Sequence, residues 1–224
     1  MSGGLRWVVR EFRREDAAKL AKLLNESEEG WPGGLTGGVP YTAERVLDEV
    51  SRSDSIAHYV AEVDGELVGY LKLNWGLSGR DASYIALVNV HPRYRGRGIG
   101  TSLLKRAIER SLELGLDRVD LHTWPGNEGA IRLYKRLGFF WVPKTHVYMQ
   151  NYLPMVAKLS VVREALGGGL DALLGFRKVV EVREDDAESR CRGVYVDEWE
   201  VAGGWRRVRV VRDAWGICSV EWGS

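Results

Sequence analysis

The chain has 224 residues, 45% of them apolar and 28% charged, a composition that buries a core and excludes an intrinsically disordered protein. Lys and Arg (32) nearly balance Asp and Glu (31), so no global positive field exists to hold nucleic acid or an anionic membrane. Two cysteines, Cys191 and Cys218, stand outside any CxxC or Cys/His cluster, so no metal is expected, and whether they pair or stay free thiols is open.

The opening text MSGGLRWVVREFRRED becomes charged before an apolar stretch develops, and no later stretch is long enough to cross a bilayer. The expected location is the cytoplasm. RWVVREF is a short β-type run, and Ala17, Leu20, Ala21 and Leu24 then recur at helical spacing. The span from Gly30 to Pro40 holds five glycines and two prolines, which no helix tolerates, and predicts a mobile loop before a second helix in TAERVLDEVSRS.

IAHYVAEV and ELVGYLKLNW flank Asp64 and Gly65, and a D-G pair between β-type runs predicts a two-residue hairpin. The strand SYIALVNV leads through His91 and Pro92 into a glycine-rich turn and the amphipathic helix TSLLKRAIERSLELG, closed by Gly115. RVDLHTW reads as a strand, NEGAIRLYKRLG as a helix, and FFWV with HVYMQNY as a last strand pair. The predicted order is β-α-α-β-β-β-α-β-α-β-β, a mixed α/β domain over residues 1–155. From Pro154 the text changes to a short helix candidate, the glycine run Gly167 to Gly169, and runs rich in Val, Arg and Trp. Residues 156–224 are expected to form a small β-rich C-terminal unit, with its tryptophans in a core or an interface.

Arg95, Gly96, Arg97, Gly98, Ile99 and Gly100, with Thr101 following, join a strand to a helix. Glycines there let backbone N–H groups approach an anion at a helix N-terminus, and the arginines add charge. The spacing departs from the dinucleotide fingerprint G-x-G-x-x-G, and no Gly-Lys-Ser/Thr follows to make a Walker loop.

This run resembles the Arg/Gln-x-x-Gly-x-Gly/Ala hallmark of the GNAT acetyltransferase superfamily, met by Arg95, Gly98 and Gly100. The family's second signature is matched by Asn127, Ala130, Ile131, Leu133, Tyr134, Gly138 and Phe139. The resemblance covers roughly residues 5 to 152, about two-thirds of the chain, and leaves the tail outside. It implies a GNAT fold, a central mixed sheet with splayed middle strands flanked by helices, and acetyl-CoA as co-substrate. The backbone of Val88, Asn89 and Val90 would hold the pantetheine arm, in the manner of strand addition. Asn127 would contact the same arm, serve as a helix N-cap, or do both.

By the same resemblance Tyr134 is the general acid for the departing thiolate, a role that suits a phenol uncharged at rest. The strand Tyr84 to Val90 carries no carboxylate, although many relatives keep one there. His122 and Tyr84 fall where protein N-terminal acetyltransferases of the superfamily place their base residues, and a water between the two would relay the proton. The same residues read otherwise as ordinary core, and His58, His91 and His146 as structural or exposed.

At pH 7 an α-amine of pKa about 7.8 is roughly one-tenth neutral, while a lysine amine is well below one in a thousand. The expected acceptor is therefore a peptide or protein N-terminus first and a small-molecule amine second, received under the loop from Gly30 to Tyr41, with a homodimer as an admissible assembly. The alternative is an acetyl-CoA-binding regulatory or interaction module without turnover.

Overall fold

The computed structural model describes residues 5–28, 31–32, 34–77, 81–142, 147–158, 177–180, 184–185, 194–200, 207–212 and 217–223. His146, Cys191, Trp205, Trp215 and the glycine run from 167 to 169 fall outside these residues. The chain divides into two compact units, Met1–His122 and Thr123–Ser224.

The first unit holds β1 (Val8–Glu11), α1 (Ala17–Asn25), α2 (Ala43–Val50), β2 (Ser55–Val63), β3 (Glu66–Trp75), β4 (Ala82–Val90), α3 (Ile99–Glu113) and β5 (Arg118–His122). Its strands lie in the order β1-β2-β3-β4-β5. The first four pair antiparallel and β4 pairs parallel with β5, so the expected mixed sheet is present. The β2–β3 hairpin turns on Asp64 (φ 48°) and Gly65 (φ 82°), two successive left-handed residues whose twist matches that of the flanking strands.

Helix α1 lays Leu20, Leu23 and Leu24 on Val60, Leu67 and Tyr70, and Val46 of α2 joins that cluster. Thr42 caps α2 by accepting the Arg45 amide at 3.2 Å. On the opposite sheet face α3 buries Ile99, Leu103, Leu104, Ala107 and Ile108, with Ile99 and Leu103 seated over Gly69. The alternation of β3 therefore puts Gly69, Leu71 and Leu73 under α3, and Tyr70, Lys72 and Asn74 under α1 and α2.

The second unit holds α4 (Glu128–Arg136), the antiparallel pair β6 (Phe140–Trp141) and β7 (Tyr148–Asn151), and α5 (Leu153–Lys158). It continues with β8 (Arg177–Val180), β9 (Glu184–Asp185), β10 (Val194–Glu200), β11 (Arg207–Arg212) and β12 (Ile217–Gly223). The last five make an antiparallel sheet in the order β12-β11-β10-β8, with β9 also on β10. Among the described residues no helix is long and apolar enough to cross a membrane.

The edge strand β1 is anchored by charge. Arg10 donates to Asp16 at 2.6 and 2.9 Å and to Glu62 of β2 at 2.5 and 3.0 Å, while Asp16 also accepts the Arg13 amide at 2.8 Å. The Arg10 hydrogen bond holds the Asp16 carboxyl below its ordinary range. A depressed carboxyl contributes stability that is present above its unfolded pKa and lost as pH falls through the folded value. Asp16→Asn should lower the unfolding free energy by about 1.5–3 kcal/mol at pH 7. In denaturant melts that difference should shrink as pH drops below about 4, the unfolded carboxyl value.

Candidate active site

Strand β4 is paired differently on its two sides. Toward β3 its ladder runs from Ser83 to Val90, whereas the ladder to β5 joins Ala82–Ile85 to Arg118–Leu121. The β3 register shifts between Leu73↔Ile85 and Lys72↔Leu87, leaving Ala86 as the extra residue of a β-bulge. A bulge bends and twists its strand, and the parallel ladder stops one residue before it. Val88, Asn89 and Val90 lie past that point. Asn89 is 3% exposed, and its Nδ2 has no hydrogen-bond partner among the described residues. A buried amide donor left in this way at the strand segment expected to hold a pantetheine arm fits a ligand rich in amide carbonyls.

Beyond Val90 the chain makes a 3₁₀ turn, Pro92–Tyr94, opened by His91, whose Nδ1 accepts the Arg93 amide at 3.2 Å. Arg95 folds back, its Nε donating to the Val90 carbonyl at 3.0 Å, and Arg97 lies over the Tyr94 ring at 5.8 Å. Gly96 (φ 76°) and Gly98 (φ 95°) are both left-handed, a conformation that costs a residue with a Cβ roughly 1–2 kcal/mol. Gly98 is the N-cap of α3, and the first helical bond runs from the Ser102 amide to the Gly98 carbonyl at 3.0 Å. The amides of Ile99, Gly100 and Thr101 precede that bond and have no carbonyl one turn back within the helix. With Arg95 and Arg97 exposed beside them, this end of α3 fits a diphosphate.

Tyr84 and His122 meet across the parallel ladder. The Tyr84 hydroxyl lies 3.1 Å from His122 Nδ1, with the rings edge to face at 5.7 Å and 69°. They are in direct hydrogen-bond contact. Partial burial lowers the imidazole pKa and so favours the neutral ring, while burial and then the Asp120 charge raise that of the phenol.

Asp120 is the residue the sequence reading missed. It sits opposite Tyr84 in the ladder and shares a strand face with His122 and Arg118, whose Nε it accepts at 2.9 and 3.0 Å. β5 thus carries a buried carboxylate beside Tyr84 and His122, engaged by Arg118, and the alternation of R-V-D-L-H was the signal available for it. The pair Arg118–Asp120 is almost fully buried. His58, read as structural, is buried with Nδ1 2.7 Å from the Tyr70 hydroxyl, and desolvation pushes its pKa down to about 4.

In the second unit Tyr134 lies on α4, 5% exposed and 5.9 Å from the Phe139 ring, and burial pushes its phenol up to about 12. It is a proton donor at rest throughout the neutral range. Asn127 takes the N-cap position of α4 but does not cap with its side chain; its Nδ2 donates to Thr123 Oγ1 at 3.2 Å. The second signature also ends in a built turn: Gly138 is left-handed (φ 92°), and Asn151 Nδ2 donates to the Leu137 carbonyl at 2.8 Å.

Residues 20–139 match the Acetyltransferase (GNAT) family. The chain belongs to that family. An uncharacterised N-acetyltransferase of Methanocaldococcus jannaschii is 40% identical over 92 residues, 39% of this chain and 41% of that protein. An N-alpha-acetyltransferase of Sulfurisphaera tokodaii is 38% identical over 93 residues, 37% of this chain and 56% of that protein. The chain therefore matches about half the length of these relatives or less. A putative acetyltransferase from Salmonella typhimurium, solved with its cofactor acetyl-CoA, superposes with a TM-score of 0.56 over 65% of this chain and 93% of that one. At 22% identity that likeness establishes the GNAT fold.

Asp120→Asn removes the negative member of a buried ion pair, and should lower the unfolding free energy of this GNAT protein by about 3 kcal/mol. Replacing Glu128, exposed beside Arg132, should change it by less than about 1 kcal/mol in the same denaturant titration.

Proposed function

We propose that the protein transfers the acetyl group of acetyl-CoA to a primary amine, and that this amine is the α-amine of a peptide or protein N-terminus. The observation that carries the reading is the contact between Tyr84 and His122, on the positions that N-terminal acetyltransferases use, next to the β4 bulge. Family membership and the name of the Sulfurisphaera tokodaii relative support it. The acetyl-CoA bound to the Salmonella typhimurium neighbour supports the co-substrate.

When bound, acetyl-CoA supplies the acetyl carbon and a thiolate leaving group. The nucleophile is a neutral amine, so the protein has to receive a proton on one side and give one on the other. In the tautomer whose Nδ1–H donates to the Tyr84 hydroxyl oxygen, His122 Nε2 carries the lone pair and takes up the proton, directly or from a water. The lowered His122 pKa keeps the ring ready to accept at neutral pH. Tyr134, held protonated by burial, gives its proton to the sulfur.

A cavity of about 260 Å³ receives the acceptor's first side chain. Tyr70 and Lys72 line it, and they share a face of β3 with Asn74, the ladder partner of Tyr84, so the cavity opens on the catalytic face. Leu20, Leu24, Leu35 and Leu87 make its walls apolar. Leu35 comes from the glycine-rich loop. That loop is tied at its base by two hydrogen bonds between Asn25 and Tyr41, at 2.8 and 3.0 Å. Glu28 ties it internally by accepting the Thr36 amide and hydroxyl at 2.9 and 3.0 Å. Gly34 beside that carboxylate is left-handed (φ 82°), a conformation that favours glycine.

CoA release on a panel of peptides and small amines tests the assignment. Tyr134→Phe should lower kcat about 100-fold with KM for acetyl-CoA little changed. His122→Ala should lower kcat/KM by a similar factor and erase the acidic limb of the pH profile, which lies below the ordinary histidine value of about 6.5. Unchanged rates in His122→Ala between pH 6 and 8 would remove it from the mechanism, and tight CoA binding with no turnover on any amine would make the protein a binding module. Leu35→Trp should raise the KM for peptides with a large apolar first residue about tenfold while leaving that for acetyl-CoA in place.

A further inference from the structure

We infer that Trp7 is a positioning residue for the diphosphate end of the CoA site, acting through Ser102 and Gly98. The inference rests on the reading that the chain binds CoA. Trp7 lies just ahead of β1, 95 residues from Ser102, and is remote in sequence from every signature of the family. Its indole N–H donates to Ser102 Oγ at 3.1 Å. Ser102 Oγ in turn donates to the Gly98 carbonyl at 3.4 Å, beside the Ser102 amide bond to the same oxygen at 3.0 Å. The benzo edge of the indole covers Gly98 itself, where an added Cβ would lie 3.4 Å from Cζ2 and 3.5 Å from Cη2.

Gly98 is the residue on which the cradle turns. A glycine at φ 95° has no side chain to fix its peptide planes and reaches several backbone wells at little cost. The amides of Ile99, Gly100 and Thr101 point at an anion only while Gly98 keeps this conformation. The ring against its Cα and the hydroxyl on its carbonyl withdraw that freedom before ligand arrives, and preorganisation of this kind adds to affinity by lowering the ordering cost of binding. The effect belongs to the phosphate end of the ligand alone, because the pantetheine segment of the site is the backbone of β4.

Calorimetric titration separates the two ends. CoA and S-acetylpantetheine, which lacks the diphosphate and nucleotide, are titrated into the full-length protein and into Trp7→Ala, Trp7→Phe and Ser102→Ala. One lost hydrogen bond corresponds to about a twofold to tenfold change in Kd. Trp7→Ala, which also uncovers Gly98, should weaken CoA binding about tenfold, and Trp7→Phe and Ser102→Ala about threefold to fivefold. S-acetylpantetheine should bind all four proteins equally. Trp7→Phe and Ser102→Ala keep most of the buried volume and carry the test should Trp7→Ala fail to fold. Wild-type CoA affinity in both, or equal losses for the two ligands, would overturn the inference. A wild-type protein that binds no CoA would remove the underlying reading and the inference with it.

Discussion

The site depends on one strand serving two neighbours unequally. β4 stays paired with β3 as far as Val90, its last residue, but keeps company with β5 only as far as Ile85, and the bulge at Ala86, where the β3 register shifts, follows at once. Ahead of the bulge the close approach of β4 and β5 sets Tyr84 against His122 and Asp120. Past it the same strand delivers Val88–Val90 as backbone and leads straight into the left-handed glycines of the α3 N-terminus. A straight ladder along the full length of β4 would keep the first arrangement and engage the second in sheet hydrogen bonds. Because sheet bonding is local and additive, a single extra residue is enough to end it.

The electrostatics follow from what is buried on that face. Asp120 is tolerated in the core because Arg118 supplies two charge-assisted contacts, and the Tyr84 phenol is kept protonated by burial first and by the field of Asp120 second. Partial burial works the other way on His122 and keeps it neutral. The three groups are thereby arranged as a phenol shifted toward its protonated form, an imidazole shifted toward its neutral form and a carboxylate paired with Arg118. Tyr134 is held protonated by burial alone.

The GNAT match ends at residue 139, and the antiparallel sheet from β8 to β12 lies wholly beyond it. The glycine-rich loop between α1 and α2 illustrates a point about composition. Five glycines and two prolines exclude a helix, yet the described part of the loop is held by Asn25, Glu28, Thr36 and Tyr41. Gly34, Gly37 and Gly38 all take left-handed φ values (82°, 63° and 82°), so glycine in the described part of this loop serves backbone conformation.

The sequence by itself determined the order of elements in the first 152 residues, the Asp64-Gly65 hairpin, the left-handed turn at Gly96 and Gly98, and the family, because each is written in local chemistry: a period of two or 3.6, a D-G pair, a glycine ahead of a helix. It also singled out Tyr84 and His122. Only the tertiary structure decided that these two are in hydrogen-bond contact, that Asp120 stands opposite Tyr84, that Ala86 is the bulge, and that Trp7 covers Gly98. Asn127 is a separate, local case, its side chain turning to Thr123 four residues back when the capping rule would have it cap α4. The reason is common to the other four. Alternation along a strand says which residues share a face, but the partner strand, the register and the neighbour across a fold are set by contacts between segments far apart in the chain, and no local pattern carries them.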